Sequence, residues 1–207
     1  MTTDTASPSI TIRPVQADEL DTFFDLTLLV DLHLPADQLP ALKDALAAAL
    51  CVESGPFSHG LNHFLFAETG DGTPVAALHA GPPHWMFNPQ LPAQVQNTLR
   101  ERVSNIDTIA VHPDHRRQGI AARLLARVES DFHRAGYRAL TLRHEHHMRH
   151  FFTTHGFTTF PRLVVDLPAI GLFNQYAPGW RHAVKPLDPT VTFTSQRGLT
   201  VVSGLLG

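Results

Sequence analysis

The sequence predicts an α/β fold, on three observations. Ile120, Leu124, Val128 and Phe132 recur every four residues between Gly119 and Gly136, the apolar stripe of an amphipathic helix. Strand-like apolar runs flank that helix at 105–111 and 139–143. Two more, 62–68 and 74–79, bracket Asp71-Gly72, a strong hairpin signal.

In chain order, Met1 to Ser9 is polar, lacks the apolar segment of a signal peptide and reads as a flexible tail. Ile10-Thr11-Ile12-Arg13 alternates like a short strand. Asp18 then precedes a helical pattern of Leu20, Phe23, Phe24 and Leu28, extending towards Leu32. Pro35 opens a second, alanine-rich helix over 36–50. After the hairpin come a loop rich in proline and bulky apolar groups (81–89), a helix over 93–103 and the strand 105–111. The helix after Gly119 stops at Gly136. The strand 139–143, a short helix over 147–155 stopped by Gly156, and an extended run over 157–167 complete this part. The stretch after Pro168 is rich in Pro, Thr and Gly and holds one β-hairpin, 190–194 with 199–202.

At 207 residues and 43% hydrophobic, the chain has enough apolar material for a full core without a metal or disulfide staple. Its single cysteine, Cys51, permits no internal disulfide and fits a reducing, cytoplasmic setting. No apolar run approaches the ~20 residues that span a bilayer, so no membrane partner is expected. The net charge of −3 is unevenly spread: residues 1–100 hold 11 acids and 3 Lys/Arg, and the remainder 8 acids and 13 Lys/Arg. A basic half suits a small anionic ligand and an acidic half a cationic one, but so small a surplus does not favour nucleic acid.

The chemistry concentrates in Ile109-Ala110-Val111-His112-Pro113-Asp114-His115-Arg116-Arg117-Gln118-Gly119-Ile120-Ala121. A strand ends at Val111 and a helix starts near Gly119. Helix N-termini present unpaired N–H groups and partial positive charge, which stabilise a diphosphate. Gly119 and Ala121 are small enough for phosphate to approach the backbone, and Arg116 and Arg117 add charge. No Lys-Ser/Thr follows the glycine, as a P-loop requires, and no Gly-x-Gly-x-x-Gly is present.

Arg-x-x-Gly-x-Ala after a strand ending Val-x-Pro resembles the signature of the GNAT superfamily of N-acetyltransferases. The strand Leu140-Thr141-Leu142, the Gly156-Phe157 pair and the opening Ile12-Arg13-Pro14 with Ala17-Asp18-Glu19-Leu20 are similar to the family's other landmarks. The resemblance covers 10–167, leaving 168–207 as a C-terminal extension. It implies a mixed, mostly antiparallel sheet of about seven strands flanked by helices, with acetyl-CoA as co-substrate. It further implies that the strand ending at Val111 and its neighbour splay apart around the pantetheine arm. Main-chain groups of Ile109, Ala110 and Val111 would bind that arm and polarise the thioester, and N–H groups of Arg117, Gln118, Gly119, Ile120 and Ala121 would hold the pyrophosphate beside Arg116. Fixed donors at the developing oxyanion usually supply the largest catalytic effect.

An acceptor amine, with pKa about 10.4, must lose a proton before it attacks. Asp107, on the strand feeding the site, is the first candidate base, or else a solvated strand carboxylate. Glu145, after the next strand, is a second candidate or a surface acid. His144 and His146 beside it could titrate near neutrality. Phe152 stands in the cofactor-lining position where many relatives carry the tyrosine that protonates the leaving thiolate. A thiol of pKa about 8.5 departs without such an acid at a cost of about 2 kcal/mol at neutral pH. This departure keeps open an alternative, a catalytically degenerate acyl-CoA-binding regulatory module.

His146 and His150 are spaced i, i+4, yet Met148 stands where a His-Glu-x-x-His motif needs its second histidine, and no metal is expected. Trp85, Met86 and Phe87 either wall the acceptor pocket or pin their loop to the core. Two strands alone are marginal in water, so the C-terminal hairpin must pair with a sheet edge, in its own chain or across a homodimer. The homodimer is the preferred expectation. The acceptor is a small-molecule or peptide amine.

Overall fold

A computed structural model describes residues 9–168 and 170–206. Apart from Ser9, the expected N-terminal tail lies outside them. Strands β1 (Thr11–Pro14), β2 (His63–Glu68), β3 (Pro74–Gly81), β4 (Val103–Val111), β5 (Ala139–His144), β6 (Thr158–Phe160) and β9 (Arg181–Pro186) form a seven-stranded sheet in the order β1-β2-β3-β4-β5-β9-β6. β7 (Leu163–Leu167), β8 (Gly171–Gln175), β10 (Thr192–Gln196) and β11 (Leu199–Ser203) form a second sheet, β10-β11-β7-β8. β1–β2, β5–β9 and β6–β9 are antiparallel and β4–β5 parallel. The helices are α1 (Leu20–Thr27), α2 (Leu39–Leu50), α3 (Ala93–Arg102), α4 (Ile120–Arg134) and α5 (Arg149–Thr154).

The chain divides into two compact units. The first comprises residues up to His79 together with Thr108–Leu124. Its core joins Phe23, Phe24 and Leu26 of α1, Leu46 and Leu50 of α2, and Phe64 and Phe66 of β2. Arg13 of β1 salt-bridges both Glu19 and Glu68, fastening the start of α1 to the sheet. Glu19 completes a capping box with Gln16, accepting from the Gln16 N–H at 2.8 Å. The hairpin turn falls at Asp71-Gly72, where Gly72 adopts φ +85°.

The second unit holds Ala80–Asp107 and Leu125–Gly207. Its core includes Leu99, Val103, Ala139, Phe160, Val184, Val165, Phe173, Val202 and Leu205, so the four-stranded sheet covers one face of the unit's main-sheet strands.

Two sequence expectations change here. The run 157–167 is not one strand: it breaks at Pro161-Arg162, sending β6 and β7 into different sheets. The stretch after Pro168 does not stand apart as an extension either, because β9 lies between β5 and β6 in the main sheet. The C-terminal hairpin, β10–β11, pairs through β11 in parallel with β7 of the same chain, Val201 opposite Val164. Within the chain, β11 thus has β10 on one edge and β7 on the other.

Candidate active site

The β4–β5 ladder runs from Val103↔Ala139 to Ile106↔Leu142 and stops, although β4 continues to Val111. Asp107, the next residue, is exposed while its side chain keeps only 19% of its free area. The open surface is therefore main chain, as where a strand has left its neighbour.

In the first unit, β4 ends in a braced loop. The His112 N–H donates to the Val75 carbonyl at 2.8 Å, and Pro113–His115 form one 3-10 turn. Arg116 Nε donates to the Val111 carbonyl at 3.0 Å, so part of this arginine shapes the loop. Arg117 adopts φ +61° and Gly119 φ +75°, and the Gly119 carbonyl receives the Arg123 N–H at 3.0 Å, the first turn of α4. Ile120 and Leu124 anchor the helix start in the core, while Arg116, Arg117, Gln118 and Gly119 are exposed. Left-handed residues so closely spaced turn successive N–H groups outwards, and the first N–H groups of a helix have no partner within it. A Cβ built on Gly119 meets nothing within 4 Å, so the space before these groups is open to a ligand. The residue types fit a diphosphate: outward N–H groups, a helix N-terminus and two guanidinium groups.

Asp107 belongs to the second unit. Asn105 Nδ2 donates to its Oδ1 at 2.6 Å, and Asn105 Oδ1 accepts from the Thr141 hydroxyl at 2.9 Å. His84 Nε2 lies 3.7 Å from the same Asp107 oxygen. Sequence reading missed Asn105 and His84; only strand register and the fold of a loop bring them to Asp107.

Glu145 follows β5, its side chain 44% exposed and its Oε2 3.2 Å from His147 Nδ1. His144 departs from expectation. It is buried, donates from Nδ1 to the Glu145 carbonyl at 2.7 Å, and burial lowers its pKa below the ordinary histidine value, away from neutrality. Its ring packs 5.1 Å from that of Phe152, which is itself buried and lies 5.8 Å from Phe157. Phe152 thus offers apolar surface and no proton.

Neither tyrosine replaces it. Tyr137 is buried with its hydroxyl donating to the Arg100 carbonyl, and burial pushes its pKa up to about 12. Tyr176 is exposed beneath Arg162. Met86 is fully buried and Trp85 packs 5.8 Å from Phe173, pinning their loop, while Phe87 is 58% exposed. Among the described residues no three His, Cys, Asp or Glu side chains gather as a metal site would need, and no helix is long and apolar enough to cross a membrane.

No curated protein sequence matches the chain. Solved structures share its fold: an acetyltransferase of the GNAT family from Staphylococcus aureus Mu50 is 14% identical with a TM-score of 0.58, covering 87% of this chain and 100% of its own. The PaiA N-acetyltransferase of Thermoplasma acidophilum, solved with coenzyme A, is 13% identical with a TM-score of 0.58, covering 86% and 99%. The ribosomal-protein-S18-alanine N-acetyltransferase of Escherichia coli is 15% identical with a TM-score of 0.54, covering 92% and 99%. The model of the acetyltransferase (GNAT) family matches residues 30–157, over half the chain and the whole of the β4–loop–α4 segment. With that match and the seven-stranded sheet, the chain belongs to the GNAT family of acetyltransferases.

Proposed function

We propose that the chain transfers an acetyl group from acetyl-CoA to an amine by direct attack, without a covalent enzyme intermediate. The observation that carries this reading is the loop from Arg116 to Ala121. Its left-handed Arg117 and Gly119 and its open N–H groups suit a diphosphate, on a strand that has left its neighbour. In this reading the N–H groups of Arg117 to Ala121 and the Arg117 guanidinium hold the pyrophosphate, with Arg116 bracing the loop from behind. Main-chain groups of Ile109 to Val111 bind the pantetheine arm and polarise the thioester carbonyl. One lone pair of the Val111 carbonyl is taken by Arg116, which leaves Ile109 and Ala110 the larger share.

Asp107 is the base, acting directly or through one water; Asn105 and Thr141 hold it in place. One proton leaves the ammonium for Asp107, and the nitrogen lone pair bonds the carbonyl carbon. The C–S bond breaks, the thiolate departs with its electron pair, and the second proton passes to solvent. Asp107 is preferred to Glu145, whose carboxylate is more exposed and pairs with His147. Phe152 donates nothing, so the thiolate leaves without a dedicated acid, at a cost of about 2 kcal/mol near neutral pH.

That buried phenylalanine also favours a second reading, a module that binds acyl-CoA and does not turn it over. Amine-dependent thiol release from acetyl-CoA separates the two. For the site itself, Gly119→Glu is expected to abolish CoA binding in titration calorimetry, because it sets a negative side chain where the diphosphate is held. Unchanged affinity in a folded variant would remove the loop from the assignment.

A further inference from the structure

Within the second unit the face of the main sheet that carries Asp107 changes character along its length. Asn105 pairs with Thr141, and two residues onward on the two strands stand Asp107 and Arg143. Side chains two apart share a face, so Asp107 and Arg143 continue the row begun by Val103 with Ala139 and Asn105 with Thr141. Lower on that face Val103, Ala139, Val184 and Phe160 are sealed in the core. Only the end near Asp107 is charged.

Arg143 is exposed, and no carboxylate pairs with it among the described residues. Arg13, Arg127 and Arg134 each rest on a carboxylate, and Arg102, Arg116, Arg123, Arg138 and Arg181 donate to main-chain carbonyls. Instead the Arg143 guanidinium lies 5.8 Å from the Trp180 ring, a contact that presents its planar fork in one orientation. Opposite it in the β5–β9 ladder is His182, all but 6% buried, whose Nε2 has no hydrogen-bond partner. A cation and a carboxylate one register step away therefore share this end of the face. Asp107 and Arg143 do not neutralise each other. Among the described residues no ion pair joins them: Asp107 accepts from Asn105, and Arg143 lies against Trp180.

We propose that the acceptor is an amine carrying its own carboxylate a few bonds away, an amino acid or its like, with the carboxylate held by Arg143 and the amine directed to Asp107. The inference rests on the acetyltransferase reading and narrows its substrate class. Arg143 matches a carboxylate in two parallel N–H···O bonds. A plain amine of similar size satisfies Asp107 alone and leaves Arg143 to solvent.

The test measures kcat/KM for thiol release from acetyl-CoA by the full chain. Acceptors are compared in pairs, each amino acid against the amine that lacks only its carboxylate. Wild type is expected to favour the carboxylate-bearing member by roughly tenfold to a hundredfold, the range of hydrogen bonds to a charged group. Arg143→Gln is expected to draw that ratio towards one, mainly through KM, and Arg143→Lys to fall between, since it keeps the charge and loses the fork. A wild-type ratio near one, or a ratio unmoved by Arg143→Gln, overturns the carboxylate anchor and leaves the acetyltransferase reading intact. Absence of thiol release with every amine, in a chain that still binds acetyl-CoA, overturns the acetyltransferase reading and the anchor with it.

Discussion

Asn105 positions Asp107. Its amide donates at 2.6 Å and fixes one carboxylate oxygen, and its own oxygen is fixed by Thr141. The amide and the hydroxyl behind it hold the carboxylate in one orientation. Asp107→Asn is therefore expected to lower kcat by about 10²-fold or more while CoA affinity in calorimetry stays within about twofold. Wild-type turnover in that variant between about pH 6 and 9 would clear Asp107 and move the role to Glu145. At this scale the sequence was readable where chemistry is local. The loop proposed to hold the diphosphate lies within six consecutive residues, and Gly119 announces itself because a left-handed φ favours glycine. Asn105, His84 and Arg143 were not readable as neighbours of Asp107, because strand register and loop folding bring them there. Phe152 was legible as a missing hydroxyl, but its packing on His144 was not.

α4 was the plainest element in the sequence and is the plainest in the structure: Ile120, Leu124, Val128 and Phe132 are all buried. Its stripe is self-contained, so period alone reveals it. β8 and β9 escaped notice for the converse reason. β8 has one buried residue in five, and β9 reads Arg181-His182-Ala183-Val184-Lys185-Pro186, with polar groups at both ends. β9 is central because β5 and β6 pair with both its edges, a fact of topology.

Burying His182 in β9 has a consequence for pH. Burial first, then Arg143 and His144, lowers its pKa from 6.5 to about 4. The folded chain keeps the ring neutral while the unfolded chain protonates it, so the unfolded state binds more protons between these values. Stability is then complete above about pH 6.5 and falls as pH drops towards 4, by on the order of 3 kcal/mol from this residue. Buried His144 and His59, also lowered by burial, act in the same direction. Thermal melts from pH 7.5 to 4.5 are expected to show this fall, and His182→Leu to flatten it. An equal slope in that variant would assign the acid sensitivity elsewhere.

At the scale of the whole molecule, the segment after Pro168 shares the core of the second unit. Val191, Val201, Val202 and Leu205 are buried, and burying an aliphatic side chain of this size is worth about 1.5–3 kcal/mol. Together that rivals the ~5–15 kcal/mol by which a domain is stable. Deleting residues 187–207 is therefore expected to cost folding itself, seen as aggregation or loss of the cooperative melt, whatever the number of copies in solution. A truncated chain melting at the wild-type temperature would contradict this. The sequence marked the hairpin but not its destination, the edge of β7, because a strand pairing so distant in sequence leaves no local pattern.

The central claim, transfer of acetyl from CoA to nitrogen, is tested most directly by incubating the full chain with acetyl-labelled acetyl-CoA and an amino-acid panel, then following the label by mass spectrometry. The expected result is label in an amide on the acceptor nitrogen, with one CoA thiol released for each amide formed. Intact acetyl-CoA with every acceptor, or label appearing only as free acetate, would contradict it.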